Sequence, residues 1–163
     1  MEFGSGISTI IIAHYAKIND IPIQIYSVDH DENWIALLKQ YQIAEHVNFI
    51  CAPLSKCDFS KHGLPWYDGN IIDLAVGEMK FDQVIVDGPI ATRRPIRLSR
   101  YPVLPYVKNK LEANVSIFLD DADRRGEKQV MRYWFQEYGF KFKYLNSALA
   151  CYYTNGSYNF SIK

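Results

Sequence analysis

Hydrophobic and polar positions along the chain predict strands that alternate with helices. Short apolar runs, alternating or unbroken, predict strands, and apolar residues three and four positions apart predict amphipathic helices. The predicted strands lie at 23–28, 47–51, 81–87 and 115–119, and the predicted helices lie at 7–17, 34–41, 71–76, 102–112 and 123–138. Because helices separate these strands, the pattern predicts an α/β fold whose mostly parallel sheet carries helices on both faces.

The first two predicted helices are each expected to bury one apolar stripe. The stripes are Ile7, Ile10, Ile11 and Tyr15 in the first helix, and Trp34, Leu37, Leu38 and Tyr41 in the second. The members of each stripe share one face of a 3.6-residue helix. We therefore expect both of these faces to pack against the sheet.

The C-terminal part of the chain breaks the alternation. Two apolar runs, 140–145 and 149–154, are separated only by a short polar turn at Asn146 and Ser147. So short a connection predicts an antiparallel pair, because parallel neighbours need a longer crossover. The tail from Gly156 is a candidate for a further edge strand, and 54–79 is expected to be a loop with one short helix.

Length and composition suit one soluble domain spanning 1–163. The chain is 48% hydrophobic and 22% charged, with a net charge of +0, which argues against a broad electrostatic grip on nucleic acid or anionic membranes. We find no apolar run long enough for a membrane span and no signal peptide pattern. Cys51, Cys57 and Cys151 lack metal-ligand spacing and favour reduced thiols, so a cytoplasmic location is expected.

The first nine residues combine an acid, two glycines and a helix start. Glu2 and Phe3 read as the end of a strand, Gly4 and Gly6 allow a tight turn, and Thr9 lies in the helix that follows. A strand, a glycine turn and a helix N-terminus form the nucleotide-binding unit of open α/β sheets. Few residues precede the turn, so the predicted first strand is truncated.

Acidic residues stand at the carboxyl ends of four of the five predicted parallel strands, counting Glu2, Asp29, Asp87 and the pair Asp120–Asp121. Ligands of such sheets bind outside these strand ends, although any single acid there also suits a helix cap. Asp29 follows the glycine turn at a spacing close to that of an acid that binds ribose hydroxyls.

Four motifs resemble those of a known family in order and spacing. E-F-G-S-G-I-S-T, Y-S-V-D-H-D-E-N-W, F-D-Q-V-I-V-D-G-P and F-L-D-D-A-D-R closely follow the motif series of class I S-adenosylmethionine-dependent methyltransferases. The nearest subgroup is a bacterial one with V-D-G-P and L-D-D-A-D-R motifs, and the resemblance covers nearly the whole chain. It implies a Rossmann-like, doubly wound sheet of seven strands with an antiparallel last strand.

The resemblance also implies a set of residues that bind the methyl donor. Glu2, Gly4, Ser5 and Gly6 would hold the methionine part of S-adenosylmethionine, Asp29 would bind its ribose hydroxyls, His30 would flank the adenine, and Leu54 would lie against it. The alternative for His30 is a solvent-facing residue at a helix start, and the alternative for Glu2 is a surface acid.

A second set of residues would lie on the acceptor side. In enzymes similar to catechol O-methyltransferase, acids at two strand ends hold a divalent metal, and Asp87, Asp120 and Asp121 match them, with Asp121 in place of the usual Asn. Oxygen ligands suit Mg²⁺, Mn²⁺ or Ca²⁺. Asp87 is also the candidate catalytic residue. Alternatively, Asp87 shapes the pocket while Asp121 and Asp123 cap a helix.

The leading hypothesis is a methyltransferase acting on oxygen of a small molecule or glycan. One alternative is a binding module or remnant that keeps this fold without turnover. Another is an NAD(P)-dependent oxidoreductase, which is disfavoured because Thr9 replaces the third glycine of that fingerprint. Homo-oligomerisation is left open.

Two further groups of residues each have two possible roles. The arginine-rich loop, with Arg93, Arg94, Arg97 and Arg100, is either a solvated face or a binding site for a carboxylate or phosphate. Trp66 and Tyr67 either line an acceptor site or pack in the core.

Overall fold

Seven strands form one sheet in the computed structural model, which describes residues 1–41 and 45–154. In chain order the strands are β1 (Glu2–Phe3), β2 (Ile25–Asp29), β3 (Val47–Cys51), β4 (Leu54–Ser55), β5 (Trp66–Tyr67), β6 (Phe81–Val86), β7 (Leu111–Leu119), β8 (Lys143–Tyr144) and β9 (Ala150–Tyr153). The helices are α1 (Ile7–Ile18), α2 (Glu32–Leu38), α3 (Gly69–Val76), α4 (Val103–Val107) and α5 (Arg125–Tyr138). β4 and β5 form a separate antiparallel hairpin.

The strand order of the large sheet is β3-β2-β1-β6-β7-β9-β8. Neighbours from β3 to β7 are parallel, whereas β9 runs antiparallel to both β7 and β8. This confirms the predicted Rossmann-like doubly wound fold with an antiparallel C-terminal strand. Successive strands run outward from β1 in one direction up to β3 and then continue from β6 in the other. The strand order therefore reverses between β1 and β6, the place where ligands bind such sheets.

The central strand β1 has two residues in the ladder. Phe3 pairs with Val28 of β2 on one side and with Val86 of β6 on the other. The ladder continues past the strand, because Gly4 N donates to Val28 O at 2.8 Å and Asp87 N donates to Phe3 O at 2.9 Å. The Phe3 side chain is fully buried, with ring centroids 5.6 Å from Trp66 and 6.2 Å from Tyr67. The turn that leaves β1 is thus anchored on both sides.

The stripe predicted for α1 is right only at Ile10, which is partly buried against the cluster of Ala13, Ile25 and Val47. Ile7 is 74% exposed, and Ile11 and Tyr15 are also mostly exposed. The buried positions of α1 are instead Thr9, Ala13 and Ala16. These small side chains let the helix backbone approach the sheet closely, which bulky isoleucines on that face would prevent.

The stripe predicted for α2 is right only at Leu38. Ile35 and Leu38 are buried, while Trp34, Leu37 and Tyr41 are about half exposed. Trp34 is turned towards the glycine turn, where its indole Nε1 donates to Ser5 O at 2.7 Å. An aromatic side chain with a polar edge therefore packs on the loop after β1 instead of filling the core.

Other boundaries differ where strand pairing takes precedence. The helix predicted over 102–112 ends at Val107, followed by a short 3₁₀ turn, because Leu111 already pairs with Phe81 in the sheet. The hairpin of β4 and β5 lies in the segment predicted to be loop. Gly139 ends α5 in the left-handed conformation at φ 78°, as predicted for a C-terminal cap. The predicted edge strand from Gly156 lies outside the described residues.

In the ranges 1–41 and 45–154, none of the helices combines the length and the apolar character needed to cross a bilayer.

Candidate active site

A cavity of about 290 Å³ opens at the carboxyl ends of β1, β2 and β6. Five residues predicted from the sequence line it, namely Gly4, Ser5, Asp29, His30 and Asp87. The cavity lies at the reversal of strand order, with its walls formed by the turns that follow the three strands. The fold thus brings together residues that are up to 83 positions apart in sequence, from Gly4 to Asp87.

Six further residues line the cavity, and all of them except Tyr67 are absent from the predicted site residues. They are Asp31, Trp34, Tyr67, Gly88, Pro89 and Ile90. Gly88 and Pro89 belong to the V-D-G-P motif, so the motif itself was a signal for them. Asp31 and Trp34 follow Asp29 in the second motif, and Trp34 is a member of the apolar stripe predicted for α2. For Tyr67 the sequence left open an acceptor site or core packing; it is 1% exposed and also lines this cavity, from a hairpin that the sequence did not predict.

Three predicted donor-binding residues do not line this cavity. Glu2 is almost fully buried, Gly6 adjoins open space, and Leu54 is 38% exposed on the hairpin opposite Tyr67. Their proposed contacts with a ligand stay predictions.

The Glu2 carboxylate accepts hydrogen bonds from hydroxyl groups around the turn that follows β1. Its Oε1 accepts a hydrogen bond from Ser8 Oγ at 2.5 Å, and its Oε2 accepts from Ser27 Oγ at 2.7 Å and from Thr9 Oγ1. Thr9 Oγ1 in turn accepts from Gly6 N at 3.0 Å. Each oxygen of this buried acid is therefore satisfied by hydroxyls. Glu2 ties the start of α1 and strand β2 to the turn between Gly4 and Gly6.

The turn after β1 lies directly against the turn after β6. Gly4 has a φ of +94°, and a Cβ built on it would lie 2.7 Å from Gly88 N. A Cβ on Gly88 would in turn lie 2.7 Å from Gly4 Cα. Both positions thus need glycine, since a side chain at either one would push the two strand ends apart. Gly6 is different, because it has open space around its Cα.

Asp29 belongs to the second motif and is hydrogen-bonded to Ser5 of the first. Its Oδ2 accepts a hydrogen bond from Ser5 N at 3.1 Å, and its Oδ1 accepts from His30 N at 2.7 Å and Asp31 N at 3.0 Å. The His30 ring nitrogen Nδ1 lies 3.2 Å from the same Oδ1. An ionised carboxylate can accept about four hydrogen bonds, so these three backbone donors leave capacity for a ligand hydroxyl.

Arg100 forms hydrogen bonds with the acidic residues that follow β6 and β7. Its side chain is 4% exposed. The guanidinium Nη2 donates to Asp87 Oδ1 at 2.9 Å, Asp87 O at 2.7 Å and Asp121 Oδ2 at 3.1 Å, and Nη1 donates to Asp120 O at 3.0 Å. The predicted arginine loop is thus divided, because Arg93 and Arg94 are exposed while Arg100 is directed inward.

Arg100 also lies near Glu127, the one buried acid among its charged neighbours in the described residues. Glu127, 1% exposed, has Oε1 3.6 Å from Arg100 Nη1, and neither of its carboxylate oxygens has a hydrogen-bond partner among the described residues. Burial raises the pKa of Glu127, and the charge of Arg100 opposes this rise. Burial also raises the pKa of Asp87 to about 6, against the opposing effect of Arg100 and with a further increase from Asp120 and Asp121. This part of the site therefore holds more negative charge than Arg100 alone offsets.

Asp87, Asp120 and Asp121 together offer a plausible set of ligands for a hard cation. One carboxylate oxygen from each lies within 4.8 Å of the others. Arg100 contacts Asp87 Oδ1 and shares Asp121 Oδ2 with Arg124, whose Nη1 is at 2.6 Å. The second oxygens of Asp87 and Asp121 have no hydrogen-bond partner in the part of the chain described. Three carboxylates this close together supply oxygen ligands that fit a divalent cation such as Mg²⁺.

A second, larger cavity of about 600 Å³ lies elsewhere. It borders Met79, Lys80 and Lys110, which precede β6 and β7, and so lies at the amino ends of these strands. None of the strand-end acids lines it. We therefore assign the candidate active site to the smaller cavity at the carboxyl ends.

Comparison with known proteins supports the fold. No protein-family model and no curated protein matches the sequence. The structure is similar to CalS11, a TDP-rhamnose 3′-O-methyltransferase of calicheamicin biosynthesis, with a TM-score of 0.66 and 14% identity, covering 96% of this chain and 71% of CalS11. It is similar to SAH-bound PaMTH1, a methyltransferase from Podospora anserina, with a TM-score of 0.63 and 15% identity, covering 94% and 70%.

The O-methyltransferase NovP is similar at a TM-score of 0.59 and 10% identity, covering 93% of this chain and 69% of NovP. These likenesses show that the chain has the class I methyltransferase fold. At such identities the fold is what is shared, and function has to be argued from the site.

The two glycines of the first turn are expected to differ in their tolerance of a side chain. Gly4→Ala should lower the free energy of unfolding by about 2–5 kcal/mol, because it combines a strained φ with a clash against Gly88. Gly6→Ala should change it by no more than about 0.5 kcal/mol, because its surroundings are open. Urea unfolding measures both values. Equal losses for the two variants would contradict the close contact.

Arg100 is expected to be required for stability, whereas Arg124 is not. Arg100→Met should cost about 3–5 kcal/mol, because it removes a buried charge that bonds Asp87 and Asp121 and leaves the buried Glu127 without a counter-charge. Arg124→Met, which removes a more exposed contact with the same Asp121 oxygen, should cost about 1 kcal/mol or less. Thermal and urea unfolding test this difference, and an Arg100→Met protein as stable as Arg124→Met would refute the role of Arg100.

Proposed function

We propose that this chain is an S-adenosylmethionine-dependent methyltransferase that methylates oxygen on a small molecule or glycan. The observation that carries the proposal is the hydrogen bond from Ser5 N to Asp29 Oδ2 beside Asp87, at the reversal of strand order. The glycine turn and Asp29 at the end of the second strand supply the donor side, and Asp87 across the cavity supplies the acceptor side.

The donor side consists of residues after β1 and β2. In the proposal Asp29 accepts hydrogen bonds from the ribose hydroxyls, His30 lies beside the adenine, and Gly4 and Ser5 hold the methionine part. Gly6 keeps the turn open to the ligand, and Leu54 is assigned to the adenine side. Glu2 acts through the hydroxyl network that shapes the turn.

The transfer needs alignment and a destination for one proton. The carbon–sulfur bond to the methyl group breaks as the acceptor oxygen forms a bond to that carbon, and the sulfonium becomes the neutral thioether of S-adenosylhomocysteine. The proton of the acceptor hydroxyl passes to a base. We assign this role to Asp87, because a carboxylate with a pKa of about 6 is a stronger base than an ordinary aspartate and is still mostly ionised at neutral pH.

A divalent cation would be an alternative to the base, because a carboxylate that binds a cation is itself a weaker base. Asp87, Asp120 and Asp121 would hold it, and its charge would lower the pKa of an acceptor hydroxyl. Arg100 keeps these three acids together and offsets part of their charge.

The residues that line the cavity beside Asp87 support a hydroxyl group as the methyl acceptor. Asp87 faces the cavity beside Pro89 and Ile90, so a hydroxyl group meets a carboxylate there. CalS11 is described as acting on TDP-rhamnose and NovP as an O-methyltransferase, which favours an oxygen acceptor for this chain as well.

Binding of S-adenosylhomocysteine tests the donor site. We expect the wild-type protein to bind it in a calorimetric titration, and Asp29→Asn to bind it at least about tenfold more weakly, because a ribose hydroxyl loses a charged acceptor. Asp82→Asn, an exposed change at the other end of the sheet, serves as the control and should bind normally.

Two results would count against the donor site. One is the absence of binding to folded wild-type protein, and the other is binding of NAD in place of S-adenosylhomocysteine, which would favour the oxidoreductase. Binding of S-adenosylhomocysteine without methyl transfer to any of a panel of sugars, phenols and hydroxy acids would instead favour the non-catalytic binding module.

The metal site is tested with Mn²⁺ as the probe. We expect calorimetry to detect one Mn²⁺ site that EDTA removes and that is lost in Asp120→Asn and in Asp121→Asn, since each removes a charged ligand. The neighbouring exposed Asp123→Asn is the matched control. Wild-type protein that binds no Mn²⁺, or equal weakening by the control, would refute the metal while leaving the donor site intact.

A further inference from the structure

The Tyr67 hydroxyl has an unusual environment. Tyr67 is 1% exposed, yet its hydroxyl has no hydrogen-bond partner among the described residues, and the residue lines the candidate active-site cavity. A Cβ built on Gly88 would lie 2.3 Å from this hydroxyl oxygen. The hydroxyl therefore lies at the contact of Gly4 with Gly88, in the centre of the site. A buried hydroxyl without a partner is costly, and such groups usually have a ligand or a water as their partner.

We propose that Tyr67 is a donor-binding residue whose hydroxyl forms a hydrogen bond with the bound nucleoside of the methyl donor. This inference rests on the proposed function and adds to it a residue from outside the four sequence motifs. The hairpin carries Tyr67 to the site, because β5 pairs with β4 at Leu54 and Asp68 N donates to Pro53 O at 2.9 Å.

The surroundings of Tyr67 favour the donor over the acceptor. Its ring centroid is 6.2 Å from that of His30, and its hydroxyl adjoins the turn at Gly4, so two of its neighbours belong to the donor side. The charge of Asp29 raises the pKa of Tyr67 more strongly than does that of Asp87, which lies on the acceptor side. In the proposal the hydroxyl therefore lies beside the ribose of the bound donor, next to Asp29.

The hydroxyl is suited to a neutral hydrogen bond. Burial, and then the charge of Asp29, raises the pKa of Tyr67 well above that of a free tyrosine. The hydroxyl thus keeps its proton at physiological pH, and it both donates and accepts. Its ring is fixed by Phe3 and Trp66, with centroids 6.2 Å and 5.6 Å away, so little side-chain freedom is lost when a ligand binds.

Tyr67→Phe removes only this hydroxyl and is the direct test. Tyr106→Phe is the matched control, because Tyr106 packs on Trp66 at 5.2 Å in the same aromatic cluster but donates its hydroxyl to Asp73 Oδ1 at 2.8 Å, away from the cavity. S-adenosylhomocysteine is titrated by calorimetry into wild type and both variants, and the melting temperature of each ligand-free protein is measured.

The expected result is opposite for the two variants. Tyr67→Phe should bind S-adenosylhomocysteine about tenfold more weakly while its melting temperature is unchanged or higher, since an unpaired buried hydroxyl has been removed. Tyr106→Phe should melt at a lower temperature and bind within about twofold of wild type.

Three results would overturn the assignment. Normal binding by Tyr67→Phe, with wild type also binding, would refute Tyr67 alone. A Tyr67→Phe protein that melts lower than wild type and binds normally would give the hydroxyl a structural role, satisfied by water. If wild type itself does not bind S-adenosylhomocysteine, both the proposed function and this assignment fail.

Discussion

The close contact of two strand ends is the constraint on which the site depends. Gly4, after β1, and Gly88, after β6, meet with no space for a side chain on either. Because these strands are neighbours at the reversal of strand order, their turns diverge to opposite sides and leave a cavity between them. The contact holds the turns after β1 and β6 against each other, so that Ser5 and Asp87 line the same cavity.

Two polar networks support this contact from opposite sides. Under the first turn, Glu2 accepts hydrogen bonds from hydroxyls of α1 and β2, so every polar group there is paired. Beside the second turn, Arg100 binds Asp87 and Asp121 but leaves Glu127 without hydrogen bonds among the described residues. The two buried acids thus differ, because both oxygens of Glu2 are paired whereas those of Glu127 are not. The surplus of acids around Arg100 is the physical reason to propose a cation or a proton transfer there.

Sequence patterns predicted the sheet correctly but did not predict which positions of the first helix are buried. Strand periods and strand-end acids predicted the parallel sheet, the antiparallel β9 and the positions of Asp29 and Asp87, because alternation and turn chemistry are local properties. They failed for α1, where Ala13 and Ala16 lie against the sheet and Ile7 and Ile11 lie outside. Hydrophobicity alone cannot reveal that close packing selected small side chains for the inner face.

The sequence by itself determined the order of the elements, the glycine turn and the acids that end the strands, since each depends on residues close together in the chain. Only the tertiary structure decided that Arg100 is directed inward to the acids, that Glu2 is enclosed by hydroxyls and that Tyr67 enters the cavity from a hairpin. Those contacts join residues far apart in the chain, and their geometry depends on how the strands are ordered and how closely their ends pack.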